Sequence, residues 1–138
     1  MVLSQGTLEF STSPKSFLDI TKEVQNFVSE SNIQDGVCNL FIKHTSASLV
    51  IQENYDPSVR KDFETIFSKL APEDFPYVHN MEGKDDMPAH IRSALTSTSE
   101  TIPIVNEKLS LGNWQGIYIW EHRDQTHNRK VMVSMIGE

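Results

Sequence analysis

The feature that most constrains the fold is a pair of strongly apolar segments near the C-terminus, residues 116–122 and 130–136, with a polar turn at 124–128 between them. Both have the length and the β-branched and aromatic content of strands. Further strands are predicted at 5–11, 37–43, 49–53 and 101–105. Because strands and helices mix without a repeating strand–helix–strand rhythm, the pattern predicts an α+β fold. We expect a compact single domain over residues 1–138, with a largely antiparallel β-sheet flanked by helices.

Three helices are predicted among these strands. The clearest begins at Asp56-Pro57, because Asp is a favoured N-cap and Pro fits the first helical position. Apolar residues recur after it at helical spacing. An earlier helix covers positions 20–28, and a short one follows Pro88. The intervening residues 73–85 lack apolar periodicity and predict a long loop, and such loops in compact domains are often functional.

Composition excludes several classes of protein. The net charge of −7 and pI of about 5.2 argue against nucleic-acid and membrane-surface partners, which both favour a basic face. No apolar run approaches the roughly 20 residues of a membrane span. The N-terminal residues lack a basic stretch followed by an apolar one, so no signal peptide is expected. Cys38 is the single cysteine, which favours a cytoplasmic, reducing compartment.

The segment 82–90 holds the most chemistry at one place in the chain. Asp85 or Asp86 can cap the helix that Pro88 predicts, and His90 then lies near its first turn. Backbone N–H groups there have no helical partner, and with the carboxylates and imidazole they can bind an anion or a metal. By spacing alone, an ordinary capped helix with a surface histidine remains an alternative.

Two strand ends add polar groups. His44 ends an apolar row with Cys38, so it is either a satisfied core histidine or a ligand. Ser46 belongs to a hydroxyl-rich turn that can donate hydrogen bonds to phosphate. Glu121 shares a strand face with apolar residues, and burial would raise its pKa and suit proton transfer. Arg123 can clamp a phosphate, although a structural salt bridge explains this strand end equally well.

Taken together, the motifs resemble one known family over nearly the whole chain, from about Phe10 to Glu138. They occur in this order: His44-Thr45-Ser46-Ala47-Ser48-Leu49, Glu53-Asn54, Asp56-Pro57-x-Val59-Arg60, Glu82-Gly83-x-Asp85-Asp86-Met87-Pro88-x-His90-Ile91, Trp114-Gln115-Gly116-Ile117, Glu121-His122-Arg123 and Gly137-Glu138. The sequence is similar to the YjbQ family, also called the secondary thiamine-phosphate synthase family.

The resemblance implies a compact α+β domain, a homotrimer with polar clefts near subunit contacts, and a weak thiamine-phosphate synthase-like activity. That reaction joins an aminopyrimidine methyl diphosphate to a thiazole phosphate and releases diphosphate. The very apolar C-terminal half is consistent with an oligomer, since a sheet that is apolar on both faces needs two covers. The expected partners are a small phosphorylated metabolite and copies of the chain, without nucleic acid or membrane.

We therefore assign roles to seven residues as hypotheses. His44, His79 and His90 form a cluster for a divalent metal, Mg²⁺ or Zn²⁺, or for an anion. Asp86, His90 and Glu121 are the predicted catalytic residues, with Ser46 and Arg123 binding phosphate. The alternative function is a metal- or phosphometabolite-binding protein without significant turnover.

Overall fold

The structure is a computed structural model that describes residues 1–138. It contains three α-helices and eight β-strands, and these account for every strand and helix that the sequence predicts. Two short strands, β2 and β6, are additional. In chain order the elements are β1 Val2–Ser11, β2 Phe17–Asp19, α1 Thr21–Ser31, β3 Gly36–Ile42, β4 Ala47–Glu53, α2 Pro57–Leu70, α3 Asp86–Leu95, β5 Ser99–Val105, β6 Lys108–Leu109, β7 Gln115–Glu121 and β8 Asn128–Gly137.

The strands form two antiparallel sheets. The larger has the order β1-β8-β3-β5-β6 and the smaller has the order β2-β7-β4. The two C-terminal strands, adjacent in sequence, therefore belong to different sheets, and the polar turn between them carries the chain from one sheet to the other. The predicted α+β class with antiparallel pairing is confirmed.

A cluster of 16 buried apolar residues, contributed by α1 and both sheets, forms the core. The alternation predicted for β3 is confirmed, because Cys38, Leu40 and Ile42 are all buried there. Strand β7 is different, since every residue from Gly116 to Glu121 is buried. Elements cover both of its faces, so the polar side chains at its end lie in a water-poor environment.

The starts of α2 and α3 differ in their capping. At α2, Asp56 accepts a hydrogen bond from the backbone N–H of Ser58 at 2.9 Å, as the sequence predicts. Helix α3 begins at Asp86, two residues before Pro88, and Asp85 occupies its N-cap position without making a side-chain cap bond. The Asp85 carboxylate is engaged elsewhere. None of the three helices combines the length and apolar character needed to cross a membrane.

Candidate functional site

The long loop before α3 folds back over the start of that helix. Gly83 has φ of +102°, a conformation that residues with a side chain rarely adopt, and it turns the chain there. This turn brings His79 and Glu82 of the loop beside Asp86 and His90 of α3. The last two are one helical turn apart and share a helix face.

These four residues converge through one ligand-type atom each, and all four atoms lie within 4.8 Å of one another. Oδ2 of Asp86 is 2.8 Å from Nε2 of His79 and 3.3 Å from Nε2 of His90. Nε2 of His79 is 3.5 Å from Oε2 of Glu82. Asp86 is buried, whereas the side chains of His79 and Glu82 are open to solvent. The cluster is therefore fixed to the protein interior by Asp86 and open to solvent at His79 and Glu82.

Surrounding groups fix the orientation of two of these side chains. The Nδ1–H of His90 donates to the carbonyl oxygen of Thr45 at 2.9 Å, so a neutral His90 carries its lone pair on Nε2, the atom in the cluster. Nη1 of Arg123 lies 2.9 Å from Oδ1 of Asp86, leaving Oδ2 for the cluster. Such supporting contacts are characteristic of metal ligands in proteins.

Asp85 and Arg123 form a second ion pair beside the cluster. Nε of Arg123 and the backbone N–H of Asp124 donate to Oδ2 of Asp85 at 2.8 and 3.0 Å. Burial alone would raise the pKa of Asp85, but these hydrogen bonds outweigh it and lower the pKa to about 2. Three nitrogens of Arg123 therefore already have partners, because Nη2 also donates to the carbonyl of Glu82. The phosphate-binding role of Arg123 stays a prediction.

Glu121 lies in a separate, fully buried network. Both its carboxylate oxygens accept from Arg129, and Oε1 also accepts from the hydroxyl of Thr12 at 2.6 Å. The predicted burial of Glu121 is confirmed, but the expectation of a raised pKa is wrong. Burial favours protonation, yet the hydrogen bonds from Arg129, Thr12 and the backbone N–H of Arg123 hold the pKa below its usual value. Glu121 is thus an ion-pair partner of Arg129.

The other two predicted site residues lie close to this network. Oγ of Ser46 accepts from Nη2 of Arg129 at 3.0 Å, and Ser46 is almost buried. Nε2 of His44 accepts from the backbone N–H of Lys130 at 2.8 Å, so its lone pair is in use. His44 does not belong to the cluster of four, although it lines a shallow cavity of about 240 Å³ together with His90. Its role as a ligand stays a prediction.

A second cavity opens on the other side of the cluster. It has a volume of about 210 Å³ and is lined by His79, Lys84, Phe75 and Tyr77, among others. The Phe75 and Tyr77 rings lie with centroids 5.0 Å apart and present aromatic surface to it. A molecule held at the cluster would therefore find a cation and two rings within the same pocket.

Sequence reasoning missed Glu82 and Arg129 as members of these networks. Glu82 lies three residues after His79 and four before Asp86, but loop residues have no fixed periodicity, and only the turn at Gly83 makes them meet. Arg129 lies between the predicted polar turn and the strand predicted after it, and no local pattern indicates that it reaches Glu121. Its pairing depends on the crossing between the two sheets.

Three helices packed with two antiparallel sheets, and a histidine–carboxylate cluster at one helix start, describe a small α+β protein with a polar site. The sequence matches the family described as UPF0047 protein YjbQ-like over residues 6–138. The chain therefore belongs to the YjbQ-like UPF0047 family, as its motifs indicated.

Relatives span nearly the full chain. A UPF0047 protein of Synechocystis is 52% identical over 135 residues, covering 97% of this chain and 92% of that protein. The UPF0047 protein YjbQ of Salmonella typhimurium is 41% identical over 97% of this chain and 98% of that protein.

Solved structures agree with the fold. The structure of a YjbQ/UPF0047 family protein from Clostridium acetobutylicum has a TM-score of 0.87 at 40% identity, covering 94% of this chain and 98% of that one. A YjbQ-like protein of unknown function from Sulfolobus solfataricus also has a TM-score of 0.87, at 24% identity, over 99% of this chain and all of that one.

Proposed function

We propose that the chain holds a divalent metal ion through His79, Asp86 and His90, with Glu82 as a fourth ligand, and acts there on a phosphorylated small molecule. The observation that carries this proposal is the orientation of His90, whose Nδ1–H is bonded to Thr45 so that Nε2 faces Asp86. A tetrahedral site with bonds of about 2.05 Å spaces its ligand atoms by about 3.3 Å. The separations of 3.3 and 3.5 Å are close to that spacing, whereas the 2.8 Å between His79 and Asp86 is a hydrogen-bond distance that would lengthen on metal binding.

The donor set favours zinc over magnesium. Imidazole nitrogens suit Zn²⁺ and related transition metals, whereas Mg²⁺ prefers oxygen ligands and retains several waters. Two histidines and the buried carboxylate match the three protein ligands of a catalytic zinc site, and the more exposed Glu82 holds the fourth position until a substrate replaces it. Of the two expected ions, we therefore propose Zn²⁺.

The first candidate reaction is thiamine-phosphate synthase-like transfer. The C–O bond between the pyrimidine methylene and diphosphate breaks, a C–N bond to the thiazole nitrogen forms, and diphosphate leaves with the electron pair. A bound divalent ion would neutralise the departing charge. The Phe75 and Tyr77 rings could stack on the planar pyrimidine, and Lys84 lines the same cavity to attract the diphosphate.

An assay of the purified protein with both substrates, in Zn²⁺ or Mg²⁺, tests this reaction. We expect turnover in the wild type and its loss in the Asp86→Ala and His90→Ala variants. The matched histidine control is His127→Ala, in the turn between β7 and β8, which should retain turnover. Loss of turnover in His44→Ala would make His44 a ligand, as the sequence predicted. Turnover that is unchanged in the Asp86 and His90 variants would refute the assignment.

The second candidate function is binding of a metal and a phosphorylated metabolite without turnover. The state of Glu121 favours it, because a buried carboxylate committed to Arg129 and Thr12 is unsuited to exchange protons with a substrate. A ligand-stabilisation screen distinguishes the two functions. A metabolite that raises the melting temperature without being converted supports binding alone, whereas conversion supports the transferase.

We also propose that the chain assembles as a homotrimer through the outer face of the larger sheet. Leu3, Ile136 and Val37 are paired across β1, β8 and β3 and form an exposed apolar row, with Phe41 further along β3. Light scattering should give a mass about three times 15.7 kDa. A monomer at micromolar concentration would contradict the proposal.

A cytoplasmic location is the accompanying proposal. Cys38 is buried in the sheet as a free thiol, and burial raises its pKa to about 11. A chain without disulfides needs no oxidising compartment. Fractionation of the native host, with the protein detected in the cytoplasmic fraction, would support this location, and its recovery outside the cell would contradict it.

A further inference from the structure

A third cavity lies between α3, the end of α2 and the end of β7, and Glu73 is the one lining residue that it shares with the cavity at Phe75 and Tyr77. It has a volume of about 270 Å³ and we call it the α3 cavity. Its polar lining residues are Lys15, Ser68, Glu73, Asp85, Arg92 and His122. Two adjacent aspartates at the start of α3 therefore serve different places: Asp85 lines this cavity and Asp86 belongs to the metal cluster.

His122 is the strongest indication that the α3 cavity receives a ligand. The residue is 1% exposed, and its Nδ1 is one of two buried side-chain nitrogens without a hydrogen-bond partner. Nε2 is bonded to Oγ of Ser48 at 2.8 Å, so Nδ1 is the ring nitrogen left for a bound group. The other unpartnered nitrogen belongs to Trp120, whose ring lies 4.8 Å from that of His122. Buried polar groups are normally satisfied, so such nitrogens call for a partner.

The protonation state of His122 makes Nδ1 a suitable donor. Burial, and then the positive charges of Arg92 and Arg129, lower its pKa to about 3, so the ring is neutral. A neutral imidazole carries one N–H. The Ser48 hydroxyl can donate to Nε2, which places that N–H on Nδ1. Because His122 lines the cavity, its Nδ1–H is a donor available to a ligand that enters there and reaches the ring.

Two cations complete the donor set. Arg92 is 4% exposed; Nη1 bonds Glu64, while Nη2 reaches Oγ of Ser68 at 3.4 Å. Lys15 is paired with Oε2 of Glu73, itself a lining residue. Oε1 of Glu73 also lies 3.8 Å from Lys84 outside the cavity. The Glu73 carboxylate therefore occupies a position beside Lys15 that a phosphate oxygen can take. When it leaves Lys15, Glu73 can still pair with Lys84.

We propose that the α3 cavity binds the phosphate group of a small phosphorylated molecule, with Lys15, Arg92 and the Nδ1–H of His122 as donors. The incoming phosphate displaces the Glu73 carboxylate from Lys15. This inference rests on the proposed function for its substrate class, but the cavity shares no lining residue with the four metal-cluster residues. The two can therefore be tested separately.

Calorimetric titration with inorganic phosphate tests the cavity. We expect saturable binding by the wild type and binding about tenfold weaker in Lys15→Asn, because one charge-assisted hydrogen bond is lost. Asn is chosen because Lys15 has positive φ, which Asn tolerates. Lys43→Asn, an exposed lysine elsewhere, is the matched control and should bind as the wild type does. Glu73→Gln should bind more tightly, since the competing carboxylate is removed.

Two substitutions of His122 give a sharper contrast. Asn places its terminal polar atoms near the Nδ1 position and Gln places them near the Nε2 position. We expect His122→Asn to retain phosphate binding and His122→Gln to lose it, with circular dichroism confirming that each folds. If either fails to fold, the Lys15 and Glu73 variants decide the question alone. Absence of saturable binding by the wild type, or equal affinity in Lys15→Asn, would overturn the inference.

A titration of His90→Ala separates this inference from the metal proposal. Phosphate binding that persists in His90→Ala and is about tenfold weaker in Lys15→Asn assigns the phosphate to the α3 cavity, even if the metal proposal fails. Binding that is lost in His90→Ala and unchanged in Lys15→Asn assigns the phosphate to the metal cluster. That result would overturn the cavity inference and leave the metal proposal standing.

Discussion

The starts of α2 and α3 have similar sequences and different uses. Both place an aspartate just before the helix and a proline in its first turn. Asp56 does what the pattern predicts and caps α2 through the N–H of Ser58, with its side chain exposed. Asp85 at α3 makes no hydrogen bond to the helix N–H groups. Its carboxylate accepts hydrogen bonds from Arg123 and Asp124, which follow β7. Asp86 turns to the two histidines.

The comparison shows that capping residues and site residues differ in burial and in the distance of their partners along the chain. Asp56 finds its partner two residues away, whereas Asp85 and Arg123 are 38 residues apart. A buried carboxylate that does not cap its helix needs a positive partner elsewhere, because an unpaired buried charge lowers the stability of the folded state. At α3 the gain comes from Arg123, and the helix start becomes a polar site.

Removing the cation at α3 should have the largest effect on stability. Arg123→Met leaves Asp85 and Asp86 buried without their positive partner, which should cost about 3–5 kcal/mol in the free energy of unfolding. Urea denaturation measures this loss. The same experiment on Arg60→Met, in the first turn of α2, provides the control, since Arg60 has only a carbonyl and a tyrosine hydroxyl as hydrogen-bond partners. Equal losses in the two variants would remove the distinction between the helix starts.

The titration of His122, which lines the α3 cavity, should change the free energy of unfolding by an intermediate amount. The folded-state pKa of His122, about 3, lies below the ordinary 6.5, so the unfolded chain binds the extra proton as the pH falls. Stability from neutral His122 is complete above about pH 6.5 and declines below it, by about 1.5 kcal/mol between pH 6.5 and 5. Urea midpoints over this range should therefore fall more in the wild type than in His122→Gln. Parallel curves would show that His122 does not contribute.

The cap of α2 should give the smallest effect. Asp56→Ala removes one hydrogen bond to a backbone N–H and should cost about 1 kcal/mol, without altering metal affinity. Thermal unfolding and a zinc titration together check both parts. A loss of zinc binding in this variant would mean that the two helix starts are energetically linked, against the comparison made above.

Local patterns predicted the elements of this fold because each pattern depends on neighbouring residues. The apolar row of β3 and the Asp56-Pro57 start are examples, and both are confirmed. The division of β7 and β8 between two sheets was not predicted, since strand order depends on how the whole chain packs. Three members of the four-residue cluster, His79, Asp86 and His90, were predicted because they lie close together in the sequence, and Glu82 was not predicted.

The expectation for Glu121 shows why the remainder of the site was beyond the sequence. The row of apolar neighbours correctly indicated burial, but a pKa is decided by which charges surround a group. Arg129 and Thr12 lie far from Glu121 or across a turn, and only the folded chain brings them to the carboxylate. His122 was missed as a candidate for the same reason, because its unpartnered Nδ1 is a property of the packed interior.

The most direct test of the metal site is anomalous diffraction from crystals of the protein grown with zinc. We expect an anomalous peak that marks a zinc ion bonded to Nε2 of His79, Oδ2 of Asp86 and Nε2 of His90. Arg123 should still bind Oδ1 of Asp86. His90→Ala crystals grown in the same zinc concentration should lack the peak. A zinc ion bound elsewhere, or these three side chains bonded only to one another at saturating zinc, would contradict the proposal that the start of α3 is a metal site.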